Sequence, residues 1–334
     1  MSLIQPAEWS PHRAMWVGFP SHEDLWVDDL AAAQAEVAAL ALALAGPGAE
    51  RVRLLVRGDA AVGAACALLG ERSGVEIVRA QFGDVWLRDT GPIFVKRGEE
   101  TVAGAFRFNG WGGKYVLDDD DLVAEQIAAA AGSPRVEHDF VLEGGAIDAD
   151  GLGALLTTRQ CLTNPNRNPG WTPAKAGSAL GEALGAQKVV WLGEGLANDH
   201  TDGHVDNLAR FVAPGVVACP VGFGRDDPNT AVYGEAAACL AKSSDARGVE
   251  LQVMRLPSPG RILDEDGEVV PASHMNFLIA NEAVIMPVYE DRASPLALDA
   301  LAAMFPEREV IGLSSRALLT GGGSFHCITQ QEPA

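Results

Sequence analysis

The sequence is short of basic residues relative to acidic ones. Lys and Arg number 25 against 45 Asp and Glu, so the formal net charge is −20. Nucleic acids and anionic membrane surfaces repel a protein of this charge, and a basic patch with interleaved aromatic residues is also missing. We therefore expect neither nucleic acid nor a membrane as partner, whereas a small cationic substrate is compatible with the charge.

Cysteine is scarce and follows no disulfide or metal-binding pattern. The cysteines are odd in number and widely spaced, and no CxxC occurs. This usage predicts free thiols in a reducing cytoplasm rather than a disulfide framework or a cysteine zinc site. All except the last lie mostly among Ala, Leu and Val, so we interpret them as ordinary small buried residues. The five are Cys66, Cys161, Cys219, Cys239 and Cys327.

Long apolar runs and several common motifs are missing too. The apolar stretch 37–45 is stopped by Gly46 and Pro47, so it is too short to span a membrane. The first residues, MSLIQPAEWSPHRAMW, have no basic segment followed by an apolar one, and we expect no signal peptide. There is no P-loop, no GxSxG elbow and no complete dinucleotide fingerprint.

What the sequence does contain is an alternation of helices and strands. Hydrophobic residues make up 48% of the chain, enough for a large core, and no Ser/Gly-rich or Pro-rich linker divides it. We predict one α/β domain spanning 1–334. Amphipathic alanine-rich stretches predict helices at 30–45, 60–69, 122–131, 173–184, 231–242 and 295–304. Short β-branched or apolar runs predict strands at 52–56, 75–80, 93–96, 154–158, 189–192, 216–220, 251–255, 277–280, 284–287 and 310–313.

Five polar segments recur beside predicted strands, with centres about 50 to 70 residues apart. Each carries one or two reactive or hydrogen-bonding residues. The simplest geometry is a pseudo-symmetric ring of five units, each delivering a strand end to a shared central site. Polar turns at this spacing also occur in ordinary α/β proteins, so the spacing alone leaves the ring open. The segments are DVWLRDTGP (84–92), LEGGAIDADG (142–151), TDGHVDNLARF (201–211), SHMNF (273–277) and GGGSFHCIT (321–329).

Cys327 is the candidate nucleophile. It lies in GGGSFHCITQQEP, where three glycines let the backbone approach a ligand closely. A thiol with a pKa of about 8.5 is only a few per cent thiolate at neutral pH, so it needs a cation or a base nearby. His326 is adjacent, but neighbouring residues on a strand face opposite ways, and we expect the base to come from elsewhere. A buried structural cysteine is the alternative reading.

The segment NDHTDGHVD (198–206) supplies a base. His204 and Asp206 are two residues apart, so on an extended strand they point to the same side as a general acid/base pair. Two alternatives stay open. His200 and His204 have the HxxxH spacing of a metal site, although the Asp-Gly pair between them disfavours the helix that this spacing requires. The second alternative is that the segment is a solvated loop without a catalytic role.

Asp89 and Glu143 add two further acids. Asp89 lies in WLRDTGP, where a simple surface pair with Arg88 is the alternative, and Glu143 lies in LEGG, where a turn carboxylate is the alternative. Three carboxylates exceed what a thiol protease needs. They suit a planar guanidinium, whose five N–H donors two carboxylates can hold while its carbon stays open to sulfur from above the plane.

Several long motifs, in order along the whole chain, resemble those of agmatine deiminases within the wider guanidine-modifying superfamily. The resemblance implies a five-bladed α/β propeller with a central active site. It implies Cys327 as nucleophile, His204 as general acid/base and Glu143 as its proton-handling companion. The matching motifs are PAEW, WLRDTGP, FNGWGGKY, LEGG, CLTNPNRNP, DGHVDN, the Asn-Phe of SHMNF, and GGGSFHCITQQEP.

The resemblance also implies a substrate site and a reaction. Asp89 and Asp206 would bind the guanidinium, and Trp86 would line the substrate channel. Without the resemblance, Trp86 is equally explained as an ordinary core residue. A covalent amidino-cysteine would form with release of ammonia and then be hydrolysed, without a metal or an organic cofactor. Agmatine would yield N-carbamoylputrescine.

Other readings of the resemblance stay open. Peptidyl or free arginine is the alternative substrate, because peptidylarginine deiminases carry similar motifs. A metal hydrolase and an inactive binding module are alternatives of another class, and a homodimer also stays open.

Overall fold

The computed structural model describes residues 3–70 and 74–334, and the fold is mixed α/β, as predicted. The strands in these ranges are β1 (Leu3–Ile4), β2 (His12–Gly18), β3 (Val52–Val56), β4 (Val75–Arg79), β5 (Ile93–Arg97), β6 (Glu100–Arg107), β7 (Arg135–Val141), β8 (Ile147–Ala149), β9 (Ala154–Thr158), β10 (Lys188–Leu192), β11 (Arg210–Ala213), β12 (Val216–Val221), β13 (Gln252–Pro257), β14 (Leu278–Ile279), β15 (Ala283–Val288), β16 (Glu309–Ser314) and β17 (Thr329–Pro333). The α-helices are α1 (Glu23–Trp26), α2 (Leu30–Ala45), α3 (Asp59–Leu69), α4 (Leu87–Thr90), α5 (Gly110–Gly113), α6 (Val123–Ala131), α7 (Arg159–Leu162), α8 (Pro173–Leu184), α9 (Thr230–Leu240), α10 (Ser294–Met304) and α11 (Arg316–Thr320).

The described strands form five sheets of three or four strands. Their orders are β1-β5-β6-β7, β10-β9-β8, β11-β12-β13, β14-β15-β16 and β17-β2-β3-β4. In each sheet, two strands pair antiparallel. The second of these strands is followed in sequence by at least one helix and then by a third strand, which pairs parallel to the second. In the last sheet, the two antiparallel strands are β17 and β2, from opposite ends of the chain. The chain is therefore built of five repeats of one strand–strand–helix–strand unit.

Each of the five polar segments lies where the chain passes from one sheet to the next. Segment 84–92 follows β4 and leads to β5, and segment 142–151 joins β7 to β9 and contains β8. Segments 201–211, 273–277 and 321–329 follow β10, β13 and β16 in the same way. The spacing seen in the sequence therefore reflects equivalent positions in five repeats.

Local sequence accounts for the ends of the predicted helices. Helix α8 begins after Thr172, whose Oγ1 accepts a hydrogen bond from Lys175 N at 3.3 Å, and Pro173 occupies its first turn. It ends at Gly185, whose φ of 75° is left-handed. The six predicted helices and ten predicted strands are all observed, with ends within two residues of the prediction.

Several observed strands were not predicted, and low apolar content accounts for one of them, β17. Strand β17, with the sequence TQQEP, has almost no apolar side chain. Its buried Glu332 instead accepts hydrogen bonds from Trp16 Nε1 and Arg53 Nη1, both at 3.1 Å, on the sheet that β17 joins. Such a strand depends on polar partners hundreds of residues away in sequence. Strands β2, β6, β7, β8 and β11 and the two-residue β1 were also missed.

One apolar cluster extends from helix α2 to the polar segments. Leu40 and Leu44 of α2 pack in the same cluster as Leu54 of β3, Trp86 and Cys327. The candidate nucleophile therefore lies at the edge of a close-packed core, which limits its movement. None of the helices in residues 3–70 and 74–334 has the length and apolar character needed to span a membrane.

Candidate active site

Three of the predicted site residues converge on the α-carbon of Gly145. A Cβ added to Gly145 would lie 2.5 Å from His204 Nδ1 and 3.1 Å from both Asp206 Oδ2 and Asp89 Oδ1. These side chains come from segments 201–211 and 84–92, and Gly145 from 142–151. The second glycine of LEGG is therefore required because any side chain there would occupy the space between the imidazole and the two carboxylates.

Cys327 lies in a turn just before β17, not on a strand as predicted. Its Sγ accepts a hydrogen bond from Asn276 Nδ2 at 3.2 Å and lies 3.8 Å from Asp206 Oδ2. Asn276 Oδ1 in turn accepts the backbone N–H groups of His326 at 2.9 Å and Cys327 at 3.3 Å. Asn276, from the segment SHMNF, therefore fixes both the backbone and the sulfur of the nucleophile candidate.

The electrostatic surroundings of Cys327 favour the neutral thiol. Burial raises the pKa of Cys327 well above its ordinary value, and the negative charges of Asp206 and Asp89 raise it further. A cation placed between these carboxylates would act in the opposite direction. The site is therefore arranged so that a positive ligand promotes the thiolate.

Asp89 is held at the end of the short helix α4. Its Oδ1 accepts the N–H of Gly145 at 2.9 Å, and its Oδ2 accepts Trp111 Nε1 at 2.8 Å. Trp111 has a left-handed φ of 52°, flanked by glycines at φ of 66° and 83°, a conformation that costs energy for a large side chain. The glycine-rich FNGWGGKY motif was a signal for this turn, but the contact of Trp111 with Asp89 was not predicted.

The strand predicted at His204 and Asp206 is wrong. His204 precedes a 3-10 turn, Val205–Asn207, and the nearest carboxylate oxygen paired with its ring is Asp89 Oδ2, 3.7 Å from Nδ1. Burial opposes protonation, but Asp89 outweighs it together with Cys161 and Glu143, so the pKa of His204 lies well above its usual value. The two side chains still face one space because the turn directs both toward Gly145.

Glu143 lies behind His204, fully buried. Its Oε1 accepts Arg167 Nε at 2.8 Å, and Arg167 also donates to Thr201 O at 2.7 Å and to Asp202. A carboxylate oxygen of Glu143, the sulfur of Cys161 and a ring nitrogen of His204 lie within 4.8 Å of one another. Arg167, from the motif CLTNPNRNP, and Cys161 were not predicted as site residues.

A second chain of contacts holds Asp206. Its Oδ2 accepts His326 Nδ1 at 2.8 Å, and His326 Nε2 lies 2.9 Å from Glu8 Oε2. Glu8 is paired in turn with buried Arg210. Burial alone would raise the pKa of Asp206, but the hydrogen bond and charge of His326 outweigh it and lower that pKa. His326 therefore orients the carboxylate beside Cys327.

Trp86 forms a wall against the glycine triplet. A Cβ on Gly323 would lie 2.5 Å from the Trp86 ring, and one on Gly321 would lie 2.7 Å from Trp26. Trp86 Nε1 donates to Asp84 Oδ2 at 2.8 Å, and Trp26 Nε1 donates to Asp84 Oδ1 at 3.0 Å. The triplet is explained by this close approach of backbone to indole.

An open cavity of about 1030 Å³ lies next to these walls. It borders Gly322 and Tyr115, and the Tyr115 ring lies 6.2 Å from the ring of Trp111, which bonds Asp89. Seven carboxylate residues line it against only two Lys or Arg residues, so a cation is favoured there. The acidic lining residues are Asp29, Glu36, Asp199, Asp264, Glu265, Asp266 and Glu268.

The HxxxH metal hypothesis is not supported by the backbone. Residues 198–204 contain no helix, and exposed His200 instead pairs with Tyr115, whose hydroxyl lies 3.1 Å from His200 Nδ1.

Three buried atoms of the site have no hydrogen-bond partner among the described residues. They are Asp206 Oδ1, His204 Nε2 and Glu143 Oε2. A guanidinium, which carries only donors, suits the free carboxylate oxygen of Asp206.

The motifs and the geometry agree with a match over nearly the whole chain. The family model for Porphyromonas-type peptidyl-arginine deiminase matches residues 4–333. The chain belongs to this family. Agmatine deiminases, the proteins that the motifs resemble, also match this chain over nearly its full length, so the resemblance is confirmed.

Individual agmatine deiminases are similar to this chain in sequence and in structure. The agmatine deiminase of Stutzerimonas stutzeri (strain A1501) is 38% identical over 353 residues, which cover 98% of this chain and 95% of the relative. The structure of agmatine deiminase of Enterococcus faecalis has a TM-score of 0.93 at 32% identity and covers 99% of this chain and 96% of that one. A substrate-bound agmatine deiminase of C. jejuni with a cysteine-to-serine change has a TM-score of 0.88 at 26% identity, covering 99% and 96%.

Proposed function

We propose that this protein hydrolyses a guanidinium group, releasing ammonia, and that its substrate is agmatine, which becomes N-carbamoylputrescine. The observation that carries the proposal is the space at Gly145, which is bounded by two carboxylates and an imidazole, with the thiol of Cys327 beside one carboxylate. A planar cation fits this arrangement because Asp89 and Asp206 supply acceptors to its N–H groups. The activities of the similar agmatine deiminases support the same reaction.

In the first half-reaction, Cys327 attacks the guanidinium carbon. The cation bound between Asp89 and Asp206 lowers the pKa of the Cys327 thiol, whose proton is released to solvent. A C–S bond forms, the carbon becomes tetrahedral, and protonated His204 transfers its proton to the departing nitrogen. The C–N bond then breaks, ammonia leaves, and an amidino-cysteine remains.

In the second half-reaction, neutral His204 removes a proton from water, which attacks the same carbon. The C–S bond breaks, the proton of the added hydroxyl passes to the departing sulfur and restores the Cys327 thiol, and the urea-type product is released. Glu143 holds the imidazolium form of His204 by its negative charge and is itself held by Arg167. Trp86 lines the path of the alkyl chain. No metal or organic cofactor enters this proposal.

The choice of agmatine over arginine rests on the acidic cavity. Agmatine carries only an ammonium at its far end, whereas free arginine carries an α-carboxylate beside its ammonium, and the seven lining carboxylates would repel that carboxylate. Peptidylarginine remains the second candidate because the cavity is open to solvent and the matching family model bears that name.

We also propose that the five repeats form one domain, a five-bladed α/β propeller around this site. Support comes from the five equivalent sheet-to-sheet segments, three of which meet at Gly145, and from the pairing of β17 with β2, which brings the last repeat back to the first. Limited proteolysis tests the single domain, and a stable fragment of one or two repeats would contradict the proposal.

The decisive experiment is ammonia release from agmatine, free arginine and an arginyl peptide, with the Cys327→Ala variant as the control. We expect agmatine to give the highest kcat/KM, and Cys327→Ala to lose at least about 10⁴-fold in kcat. Turnover of the arginyl peptide above that of agmatine would overturn the substrate. Near-normal activity in Cys327→Ala would overturn the covalent mechanism, and loss of activity in excess chelator would overturn the metal-free one.

A further inference from the structure

Cys161 is a buried thiol in the site for which the proposed reaction has no use. Its side chain is fully buried, and its backbone N–H donates to Thr158 Oγ1 at 3.2 Å, which fixes the start of the short helix α7. The sequence alone suggested an ordinary core cysteine. Yet its sulfur, a carboxylate oxygen of Glu143 and a ring nitrogen of His204 are mutually within 4.8 Å.

These three donors are the ligand types that Zn²⁺ prefers. Zinc binds thiolate, imidazole and carboxylate with bonds of about 2.0 to 2.3 Å, so a tetrahedral ion requires donors about 3.3 to 3.8 Å apart. The three side chains would have to draw together by at most about 1.5 Å. His204 Nε2 and Glu143 Oε2 are buried and have no hydrogen-bond partner among residues 3–70 and 74–334. Two of the three residues therefore carry an uncommitted polar atom.

We propose that Glu143, Cys161 and His204 form an inhibitory site for Zn²⁺, with the fourth position left to water. The site is separate from the nucleophile, because Cys327 is not one of its ligands. An ion held here occupies a ring nitrogen of His204 and abolishes proton transfer by that imidazole. Zinc is therefore a reversible inhibitor of the enzyme and has no part in turnover.

The local charges are compatible with a divalent cation. The thiol of Cys161 loses its proton on coordination, so Cys161 and Glu143 contribute two negative charges. Arg167 offsets one of them at 2.8 Å from Glu143 Oε1, but Arg167 is shared with Asp202. Asp89 adds another negative charge 3.7 Å from His204 Nδ1. The surroundings remain anionic after Arg167 is counted.

Direct metal binding tests the proposal without turnover. Anaerobic titration of the full chain with Co²⁺, which replaces Zn²⁺ in such sites, reports thiolate ligation by its sulfur-to-cobalt absorption band, and calorimetry gives the Zn²⁺ affinity. We expect one ion and a thiolate band in the parent protein. Cys161→Ser should lose the band and bind Zn²⁺ at least about tenfold more weakly.

Two other cysteine variants are the controls. Cys219 is as fully buried as Cys161 but hydrogen-bonds toward Tyr233 O, so Cys219→Ser should keep the band. Cys327→Ser should also keep it. The proposal is overturned if Cys161→Ser retains the band, if Cys327→Ser loses it, or if the parent protein binds no ion.

A further variant guards against misfolding of Cys161→Ser, which circular dichroism would reveal. Glu143→Gln retains the thiol and the imidazole, so it should keep the thiolate band with weaker Zn²⁺ affinity, and an unchanged affinity would contradict the site. With agmatine as substrate, Zn²⁺ should inhibit ammonia release and a chelator should restore it. The inhibitory concentration should rise at least about tenfold in Cys161→Ser, measured against that variant's own uninhibited rate.

Discussion

Replacing Gly145 by alanine places one methyl group where the imidazole and the two carboxylates converge. Gly145 does not have a left-handed φ, so the backbone accepts alanine and the effect comes from the side chain alone. The new Cβ would lie 2.5 Å from His204 Nδ1, and real contacts essentially never fall below 3.0 Å. His204 or the turn carrying Gly145 must therefore move by at least about 0.5 Å.

The size of the effect follows from that displacement. A misplacement of about 1 Å in a catalytic group costs about 100-fold in rate, so a shift of half that size or more should reduce kcat/KM for agmatine by about 10- to 100-fold. That loss corresponds to about 1.4 to 2.7 kcal/mol of transition-state stabilisation. Overpacking of this buried site should also reduce the free energy of unfolding by about 1 to 3 kcal/mol.

The assay is ammonia release under kcat/KM conditions, combined with urea denaturation of the same preparation. Gly177→Ala is the matched control, because Gly177 lies within α8 and a Cβ there meets nothing within 4 Å. That variant should keep its activity and gain about 0.5 to 1 kcal/mol of stability. If folded Gly145→Ala retained kcat/KM within about twofold, the space at Gly145 would not be where the guanidinium reacts.

Two further predictions concern the groups around the nucleophile. Without substrate, the rate at which iodoacetamide alkylates Cys327 should keep rising with pH beyond the ordinary thiol pKa, because burial, Asp206 and Asp89 raise the pKa of Cys327. Exposed Cys66, followed by mass spectrometry in the same samples, is the control. A plateau of the Cys327 rate below about pH 8.5 would refute the direction of the pKa shift. His326→Leu removes the hydrogen-bond partner of buried Asp206 and should reduce the free energy of unfolding at neutral pH by about 3 to 5 kcal/mol. The hydrogen bond depresses the pKa of Asp206, so its stabilisation is present above the unfolded pKa of about 3.9 and disappears as pH falls below it. The difference between parent and His326→Leu, measured by urea denaturation, should therefore shrink in acid, and a constant difference would argue that His326 acts only through packing.

The order of residues was sufficient to locate the polar segments and to suggest the candidate chemistry. Helix ends are local, as Thr172, Pro173 and Gly185 show at α8, so they can be read from neighbouring residues. The five polar segments also mark the five passages between sheets. The types of residue in those segments were enough to predict a guanidinium as ligand.

The partners of the site residues were decided by the tertiary structure alone. Asn276 and Cys327 are 51 residues apart, and His326 and Glu8 are 318 apart, so no local pattern connects them. The strand expected at His204 is a 3-10 turn, in which the His204 ring lies beside Asp89 and the Gly145 segment. Cys161 is the clearest case. Its apolar neighbours in sequence suggested ordinary core, whereas the fold brings its sulfur to His204 and Glu143. Chemistry could be predicted from composition within each segment, but which side chains touch depends on how five repeats pack together.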